Sequence, residues 1–302
     1  MRMPGRYRSS LLLLLALLCM VLALLRPFWP LERKVWNYSF ILDITQSMNT
    51  RDYRLNGTLT DRLTMARQAV RSALTQLPCG SRVGLGLYTA NNTYQLFQPL
   101  EVCRHYAIIA DVLTHIDWRM AWANDSQIQY GLYAALELMN ESADPPALVF
   151  LTDGDQSPPA DPAREPAFMG APGQPGGFII GTGNEIPTPV PHLAPDNSIS
   201  GYWTREEALN NSGGLNAVQS HLYLSRLDQA RLQRFAVITG LSYRHLQQPE
   251  QLGRWLLAPE LATTRTISTD MRWLFGGLAL VLVLLSGWPS PQRSNRQPAH
   301  LH

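Results

Sequence analysis

The amino-acid sequence predicts an α/β fold in which a doubly wound, mainly parallel sheet carries helices on both faces and is flanked by two transmembrane helices. Between residues 36 and 257, short apolar segments typical of buried strands alternate with longer segments of helical period. Two of the buried strands end in loops rich in hydroxyl and carboxylate side chains. A dense apolar block lies near each end of the 302-residue chain.

The N-terminal apolar block, residues 11–25, contains only Leu, Ala, Cys, Met and Val and follows Arg2, Arg6 and Arg8. A basic start before a short apolar run is typical of a secretion signal. The run ends at Leu24-Leu25-Arg26-Pro27 without the small residues of a cleavage site, which favours an uncleaved anchor over a removed peptide. We therefore predict a cytoplasmic basic start at residues 1–9 and a transmembrane anchor at residues 10–28.

The C-terminal apolar block runs from Trp273 to Trp288, and its end tryptophans suit the two membrane interfaces. It predicts a transmembrane helix at residues 272–289, followed by a tail at 290–302. Both blocks are shorter than the ~20 residues of a comfortable span, so a buried core helix is the alternative for each. Because the chain starts like an exported protein, we place the soluble domain in the periplasm, at the bacterial inner membrane.

The composition of the chain argues against nucleic acid as a partner and leaves the pairing of the cysteines open. A net charge of +2 with scattered basic residues argues against nucleic-acid binding. Cys79 and Cys103 are the only cysteines between the apolar blocks. In an exported protein they can form a disulfide, and the alternative is two buried free thiols.

The elements of the middle region follow from periodicity and turn residues. Thr60 is the predicted cap of the first helix, Asn91-Asn92 is a predicted hairpin turn, and Gly240 ends a helix. Two long irregular stretches, residues 157–176 and 184–214, are of the kind that is functional or mobile. The predicted strands are residues 36–42, 82–88, 93–97, 147–151, 177–181 and 242–246, and the predicted helices are residues 61–77, 102–116, 127–139, 227–238 and 249–257.

Polar side chains follow two of the predicted buried strands. Asp43, Thr45 and Ser47 come after the first strand, and Thr152-Asp153-Gly154 ends the strand through Val149. Ligands of open α/β sheets bind at the carboxyl ends of strands, where both segments are expected. Carboxylate and hydroxyl oxygens are hard ligands suited to Mg²⁺, Ca²⁺ or Mn²⁺. The alternative is that both segments are only helix caps and turns.

Nearby acidic residues allow further interpretations. Asp125 and Asp155 could add ligand charge, or they could be solvated turn residues, which we favour. A metal-dependent hydrolase or phosphotransferase with Asp43 as nucleophile is the main rival function. Such enzymes of the haloacid-dehalogenase type need a carboxylate two residues on, where this chain has Thr45. A third possibility is a purely structural membrane protein with an inactive metal site.

The motifs themselves resemble those of von Willebrand factor A-type domains. Asp43-Ile44-Thr45-Gln46-Ser47 is similar to the family's Asp-x-Ser-x-Ser motif, and Thr152-Asp153-Gly154 is similar to its later Asp motif. The segment around Ser126 resembles the bacterial Gly-Thr-x-Ile-x-x-x-Leu element, with Ser126 in the Thr position. The similarity covers residues 36–258, within a predicted domain at 33–265.

This resemblance implies a metal-ion-dependent adhesion site. Asp43, Thr45, Ser47, Ser126 and Asp153 would surround a divalent cation, Mg²⁺ first and Ca²⁺ or Mn²⁺ as alternatives, and a partner protein would supply an acidic side chain. The two-anchor layout is similar to Bat-type proteins and to MxaL-type accessory proteins of methanol dehydrogenase. The resemblance therefore implies a non-enzymatic, cation-dependent scaffold or assembly factor. Its narrower implication is a role in the maturation or metal loading of a periplasmic dehydrogenase.

Overall fold

The computed structural model describes residues 5–123, 125–157, 165–207 and 223–288. Residues 34–263 form one compact unit, and the described residues before and after them form a second, smaller one. The predicted tail at 290–302, the first residues of the predicted basic start, and parts of the two long irregular stretches lie outside the described residues. The predicted domain boundaries stay predictions.

Strands and helices of the described residues are numbered here in chain order. The strands are β1 (Phe28–Val35), β2 (Asn37–Asp43), β3 (Arg51–Leu55), β4 (Thr58–Asp61), β5 (Arg82–Thr89), β6 (Asn92–Glu101), β7 (Ala147–Thr152), β8 (Gly177–Thr182), β9 (Thr188–Pro189), β10 (Pro191–Leu193), β11 (Ile199–Tyr202), β12 (Leu224–Ser225), β13 (Ser242–Leu246) and β14 (Thr263–Asp270). The helices are α1 (Gly5–Leu24), α2 (Arg62–Gln76), α3 (Val102–His115), α4 (Ile128–Asn140), α5 (Gln229–Thr239), α6 (Glu250–Leu256) and α7 (Arg272–Ser286).

A six-stranded sheet in the order β13-β8-β7-β2-β5-β6 forms the centre of the larger unit. All neighbours in this sheet are parallel except β6, which returns antiparallel beside β5. The turn is Ala90-Asn91, one residue before the predicted Asn91-Asn92 turn, because Thr89 pairs with Asn92. Every residue of β2 is buried, as expected of a central strand covered on both faces. The structure confirms the predicted α/β fold with a mainly parallel sheet.

Helices cover both faces of this sheet. Alternate residues of a strand point to opposite faces, so Phe40 and Leu42 lie in one apolar cluster and Ile41 lies in the other. The first cluster contains buried side chains of α2, α3 and α6, and the second contains those of α4 and α5. The doubly wound arrangement places the carboxyl ends of β2 and β7 side by side, since Leu42 lies opposite Leu151 in the register.

A hairpin that the sequence analysis missed precedes α2. Strands β3 and β4 pair antiparallel, and the turn between them has Asn56 at φ 50° and Gly57 at φ 82°. Asn-Gly is a strong signal for a two-residue hairpin turn, but the apolar alternation beside it is short, with Tyr53 and Leu55 in one strand and Leu59 alone in the other. The hairpin also moves the cap: the Thr64 backbone N–H donates to Asp61 Oδ1 at 2.7 Å, so the predicted cap Thr60 was wrong.

Cys79 and Cys103 form a disulfide, which decides between the two alternatives for these residues. The bond joins the segment before β5 to the first turn of α3, across a separation of 24 residues. The Glu101 side chain caps the same turn by accepting from the backbone N–H groups of Cys103 and Arg104. The disulfide therefore ties the edge of the sheet to the helix that covers it.

Removal of the disulfide is expected to lower the free energy of unfolding by roughly 3 kcal/mol, because the unfolded chain regains the entropy that the closed loop had removed. Denaturant unfolding of the double variant Cys79→Ser/Cys103→Ser against the wild type measures this loss. Reductant should lower the stability of the wild type to that of the variant and should leave the variant unchanged. Equal stability of the two proteins under oxidising conditions would contradict the prediction.

The smaller unit consists of α1, α7 and the two-stranded β1–β14 ribbon. Its two helices pack against each other and expose leucine side chains such as Leu14 and Leu284. Among the described residues, no helix combines the length and the apolar character needed to cross a membrane. The prediction of two transmembrane helices is therefore not confirmed. The 15 residues of α7 span only about 22 Å, and the 20-residue α1 begins with the polar stretch Gly-Arg-Tyr-Arg-Ser-Ser.

Candidate metal centre

Asp43, the last residue of β2, lies at the centre of the candidate site and is fully buried. Its Oδ1 accepts hydrogen bonds from the backbone N–H and the hydroxyl of Thr45, at 2.9 and 2.7 Å. Its Oδ2 accepts from the Thr152 hydroxyl at 2.6 Å. Thr152 was not a predicted site residue, although it lies within the Thr-Asp-Gly motif. Both carboxylate oxygens are thus held by hydroxyl groups from two neighbouring strand ends.

The loop after β2 brings the next two predicted residues to the same place. The Thr45 and Ser47 hydroxyl oxygens lie 3.3 Å apart. A single 3₁₀ turn at Gln46–Asn49 produces this spacing, since the Met48 N–H donates to the Thr45 carbonyl at 3.0 Å. The structure therefore assembles Asp43, Thr45 and Ser47 into one cluster of oxygen atoms.

Ser126 is bound to the segment that follows Asp153. Its hydroxyl donates to the Asp155 carbonyl at 3.1 Å and lies 3.3 Å from the Tyr88 hydroxyl. Its backbone forms two hydrogen bonds with Ser157, at 2.6 and 3.0 Å. The loop before α4 and the loop after β7 are consequently tied together at the rim of the site.

Asp153 is fully buried, and its carboxylate is held by groups that the sequence analysis did not consider. Its Oδ1 accepts from the Asp155 backbone N–H at 2.9 Å. Its Oδ2 forms an ion pair with Arg62 Nη1 at 2.7 Å. The one sequence signal for Arg62 is its place in the first turn of α2, where the helix dipole disfavours a cation.

Excess negative charge characterises the site. Burial, and then the neighbouring Asp153 carboxylate, raise the pKa of Asp43 to about 7. The same two causes raise the pKa of Asp155 to about 7. Asp155 is half-buried, so both interpretations of this residue stay open. A divalent cation would relieve the repulsion among these three carboxylates.

The donor set fits a hard divalent cation. The polar side-chain atoms of the five predicted residues are carboxylate and hydroxyl oxygens, with no sulfur or imidazole group: Asp43, Thr45, Ser47, Ser126 and Asp153. Such oxygens suit Mg²⁺, Ca²⁺ or Mn²⁺ rather than softer metals. The hydroxyls that now donate to Asp43 can turn their lone pairs toward a cation. Ligation by these five residues stays a prediction.

Residues 38–156 match the family model of the von Willebrand factor type A domain. Over this stretch the chain is similar to von Willebrand factor type A domains. The matched stretch includes β2, the loop with Thr45 and Ser47, Ser126 and the Thr152-Asp153-Gly154 motif. No curated protein sequence matches the chain.

Solved structures of similar fold include two bacterial proteins. An aerotolerance-related membrane protein of Bacteroides fragilis is 16% identical, with 74% of this chain and 96% of that one covered and a TM-score of 0.51. The BatB protein of Bacteroides thetaiotaomicron is 15% identical, with 73% and 95% covered and a TM-score of 0.50. At these identities the likeness shows the fold alone.

Gly131 of α4 packs against Tyr88, next to Ser126 of the candidate site. A Cβ atom at this position would lie 2.1 Å from the ring of Tyr88, whose hydroxyl donates to the Ala90 carbonyl at 3.0 Å and lies beside Ser126. Tyr88 is fully buried, so its ring has little room to move. The glycine is thus needed for close packing between α4 and β5.

Gly131→Ala is expected to lower the free energy of unfolding by about 1–3 kcal/mol, through overpacking against Tyr88. An alanine inside a helix otherwise stabilises by up to about 1 kcal/mol, so the sign of the effect is diagnostic. Denaturant unfolding measures it. Gly201→Ala is the matched control, because nothing lies within 4 Å of the Cβ that it would add. A stabilised Gly131→Ala protein would refute the packing argument.

Proposed function

We propose that this protein is a cation-dependent scaffold or assembly factor whose A domain binds an acidic side chain of a partner protein. The observation that carries the proposal is the cluster of Asp43, Thr45 and Ser47 at the carboxyl edge of the sheet, next to Thr152 of β7. Hydroxyl and carboxylate oxygens from two strand ends converge there.

The partner's contribution follows from the charge of the ligands. Two of the five proposed ligands are carboxylates and three are neutral hydroxyls, so a divalent cation held there would keep a strong attraction for an additional anionic oxygen. The carboxylate of a glutamate or aspartate of a partner protein would supply this anionic oxygen. Mg²⁺ is the cation we propose first, with Ca²⁺ or Mn²⁺ as alternatives.

The rival phosphotransferase is not favoured by the geometry around Asp43. A nucleophilic carboxylate needs an oxygen that can reach a phosphorus atom, whereas both Asp43 oxygens accept hydrogen bonds from Thr45 and Thr152. The residue two positions on is Thr45 and offers no second carboxylate. We therefore propose a binding role and not a catalytic one.

We place the A domain on the periplasmic side of the bacterial inner membrane. The Cys79–Cys103 disulfide supports this location, because disulfides persist in oxidising compartments and are rare in the cytosol. A narrower role in the maturation or metal loading of a periplasmic dehydrogenase rests on the resemblance to MxaL-type proteins. The identity of the captured partner tests that narrower role.

Affinity capture tests the binding role directly. The tagged full-length chain is incubated with a periplasmic and membrane extract in Mg²⁺ or Ca²⁺, washed, and then eluted with a chelator. We expect a partner protein that the chelator releases and that Asp153→Ala does not retain. Asp196→Ala is the matched control, since Asp196 is exposed and bonds only within its own loop to Ser198.

Two results would count against the binding role. A partner that stays bound in chelator would show that the interaction does not pass through a cation. A partner that Asp153→Ala retains as well as the wild type does would show that the candidate site is not the binding site.

A further inference from the structure

Arg62 is the largest fully buried side chain of the A domain, and it lies directly behind the candidate metal centre. Its Nη1 donates to Asp153 Oδ2 and to the Ser225 hydroxyl, both at 2.7 Å. Its Nε and Nη2 donate to Asp52 Oδ2, at 3.0 and 2.7 Å. One guanidinium therefore connects the β3 strand, the end of β7 and the segment before α5.

The surroundings of Arg62 hold it in this position. Gly183, at φ 108°, packs so closely that a Cβ atom there would lie 2.5 Å from Arg62 Nε. The Asn184 backbone N–H donates to the same Asp52 oxygen at 2.9 Å. Because the backbone after β8 closes over the guanidinium and also binds its counter-ion, Arg62 cannot turn toward solvent without moving three segments.

The positive charge of Arg62 changes the net charge of the candidate metal centre. Asp153 is one of the two carboxylates proposed as ligands, and Arg62 already neutralises it at ion-pair distance. Asp52 neutralises part of Arg62 in turn, from the side of the hairpin. Charges in a buried environment are screened weakly. The positive charge of Arg62 therefore weakens the attraction between Asp153 and a divalent cation bound at the site.

We infer that Arg62 is a positioning and charge-setting residue of the cation site: it orients the Asp153 carboxylate and cancels much of its charge. A divalent cation held there consequently keeps the excess positive charge that an acidic group of a partner satisfies. Asp52 reduces the effect, because its negative charge offsets part of the positive charge of Arg62. This inference rests on the proposed function.

Binding of Mg²⁺ alone to the full-length chain, measured by isothermal titration calorimetry at constant ionic strength, tests the inference. Arg62→Met should bind Mg²⁺ at least about tenfold more tightly than the wild type, because a buried cation has been removed beside a ligand. Asp52→Asn should bind it several-fold more weakly, since Arg62 is then left to repel the metal. The two variants should change the Mg²⁺ affinity in opposite directions only if the charges of Arg62 and Asp52 act on the site.

The double variant Asp52→Asn/Arg62→Met provides a second test in case a single variant fails to fold. It removes one positive and one negative charge together, so the net charge of the network is unchanged, yet Asp153 loses its counter-ion. We expect it also to bind Mg²⁺ more tightly than the wild type. Arg234→Met is the matched control, because Arg234 is about half exposed and pairs with Glu165 rather than with a carboxylate of the site. Its affinity should stay close to that of the wild type.

The outcomes separate this inference from the proposed function. If the wild type binds Mg²⁺ and the three Arg62 and Asp52 variants bind it equally well, Arg62 is only a structural ion pair and the inference fails alone. If neither the wild type nor the double variant binds Mg²⁺, the cation site and the proposed function both fail. Binding by the double variant and not by the wild type would support the inference in its strongest form.

Discussion

Asp43→Asn is expected to abolish the rise in Tm that Mg²⁺ or Ca²⁺ produces in the wild-type protein. A ligand that binds the folded state stabilises it by mass action, and the proposed site depends on the charge of Asp43 at the end of β2. Asparagine keeps the shape of the side chain and the oxygen that accepts from Thr45, so loss of the metal response would report the charge itself. Thermal unfolding with and without metal measures the difference.

The same variant should be more stable than the wild type when metal is absent at pH 8. The folded pKa of Asp43 is raised to about 7, so the folded state binds a proton that the unfolded state has already released. Stability of the metal-free wild type is therefore lost as pH rises from about 4 to about 7, by proton linkage. Asparagine carries no charge and avoids this loss. The difference between the two proteins should shrink at pH 5.

The control for Asp43 is Asp196→Asn, an exposed aspartate that bonds within its own loop. It should show the full metal response of the wild type. An equal rise in Tm for Asp43→Asn and for the wild type would mean that the cation binds elsewhere. That result would also remove the basis for assigning Thr45 and Ser47 as ligands.

Arg62→Met is expected to lower the free energy of unfolding of the metal-free protein by about 3–5 kcal/mol, the usual cost of breaking a buried ion pair from one side. The reason is that Asp52 and Asp153 are both nearly inaccessible to water and would lose their common partner. Denaturant unfolding in the presence of a chelator gives the value. Addition of Mg²⁺ should restore more stability to this variant than to the wild type, because the metal then replaces the missing positive charge beside Asp153.

An exposed arginine provides the comparison for this stability loss. Arg234 pairs with Glu165 at the surface, at 2.9 Å, and its side chain is 51% exposed. Arg234→Met should therefore change the free energy of unfolding by less than about 1 kcal/mol. A loss of similar size for Arg62→Met would show that the buried network contributes little to the fold.

Several features of this protein could be predicted from short stretches of sequence. The buried strands around Phe40 and Val149, the helices between them and the hydroxyl-rich loop after Asp43 all depend on patterns of fewer than twenty residues. The β3–β4 hairpin belongs with these features, because its Asn56-Gly57 turn is a local signal. The apolar blocks at the ends predicted helices correctly, but membrane spans were not confirmed.

The sequence by itself thus determined the α/β fold and the oxygen ligands that lie within one loop, since strand burial, helix periodicity and the spacing of Asp43, Thr45 and Ser47 are local properties. The tertiary structure alone decided the pairing of Cys79 with Cys103, the attachment of Ser126 to the loop after Asp153, and the ion pair of Arg62 with Asp153. Arg62 and Asp153 are 91 residues apart. No periodicity connects two such residues, because their contact exists only when the ends of separate strands and a helix meet at one edge of the sheet, where burial makes each charge depend on the other.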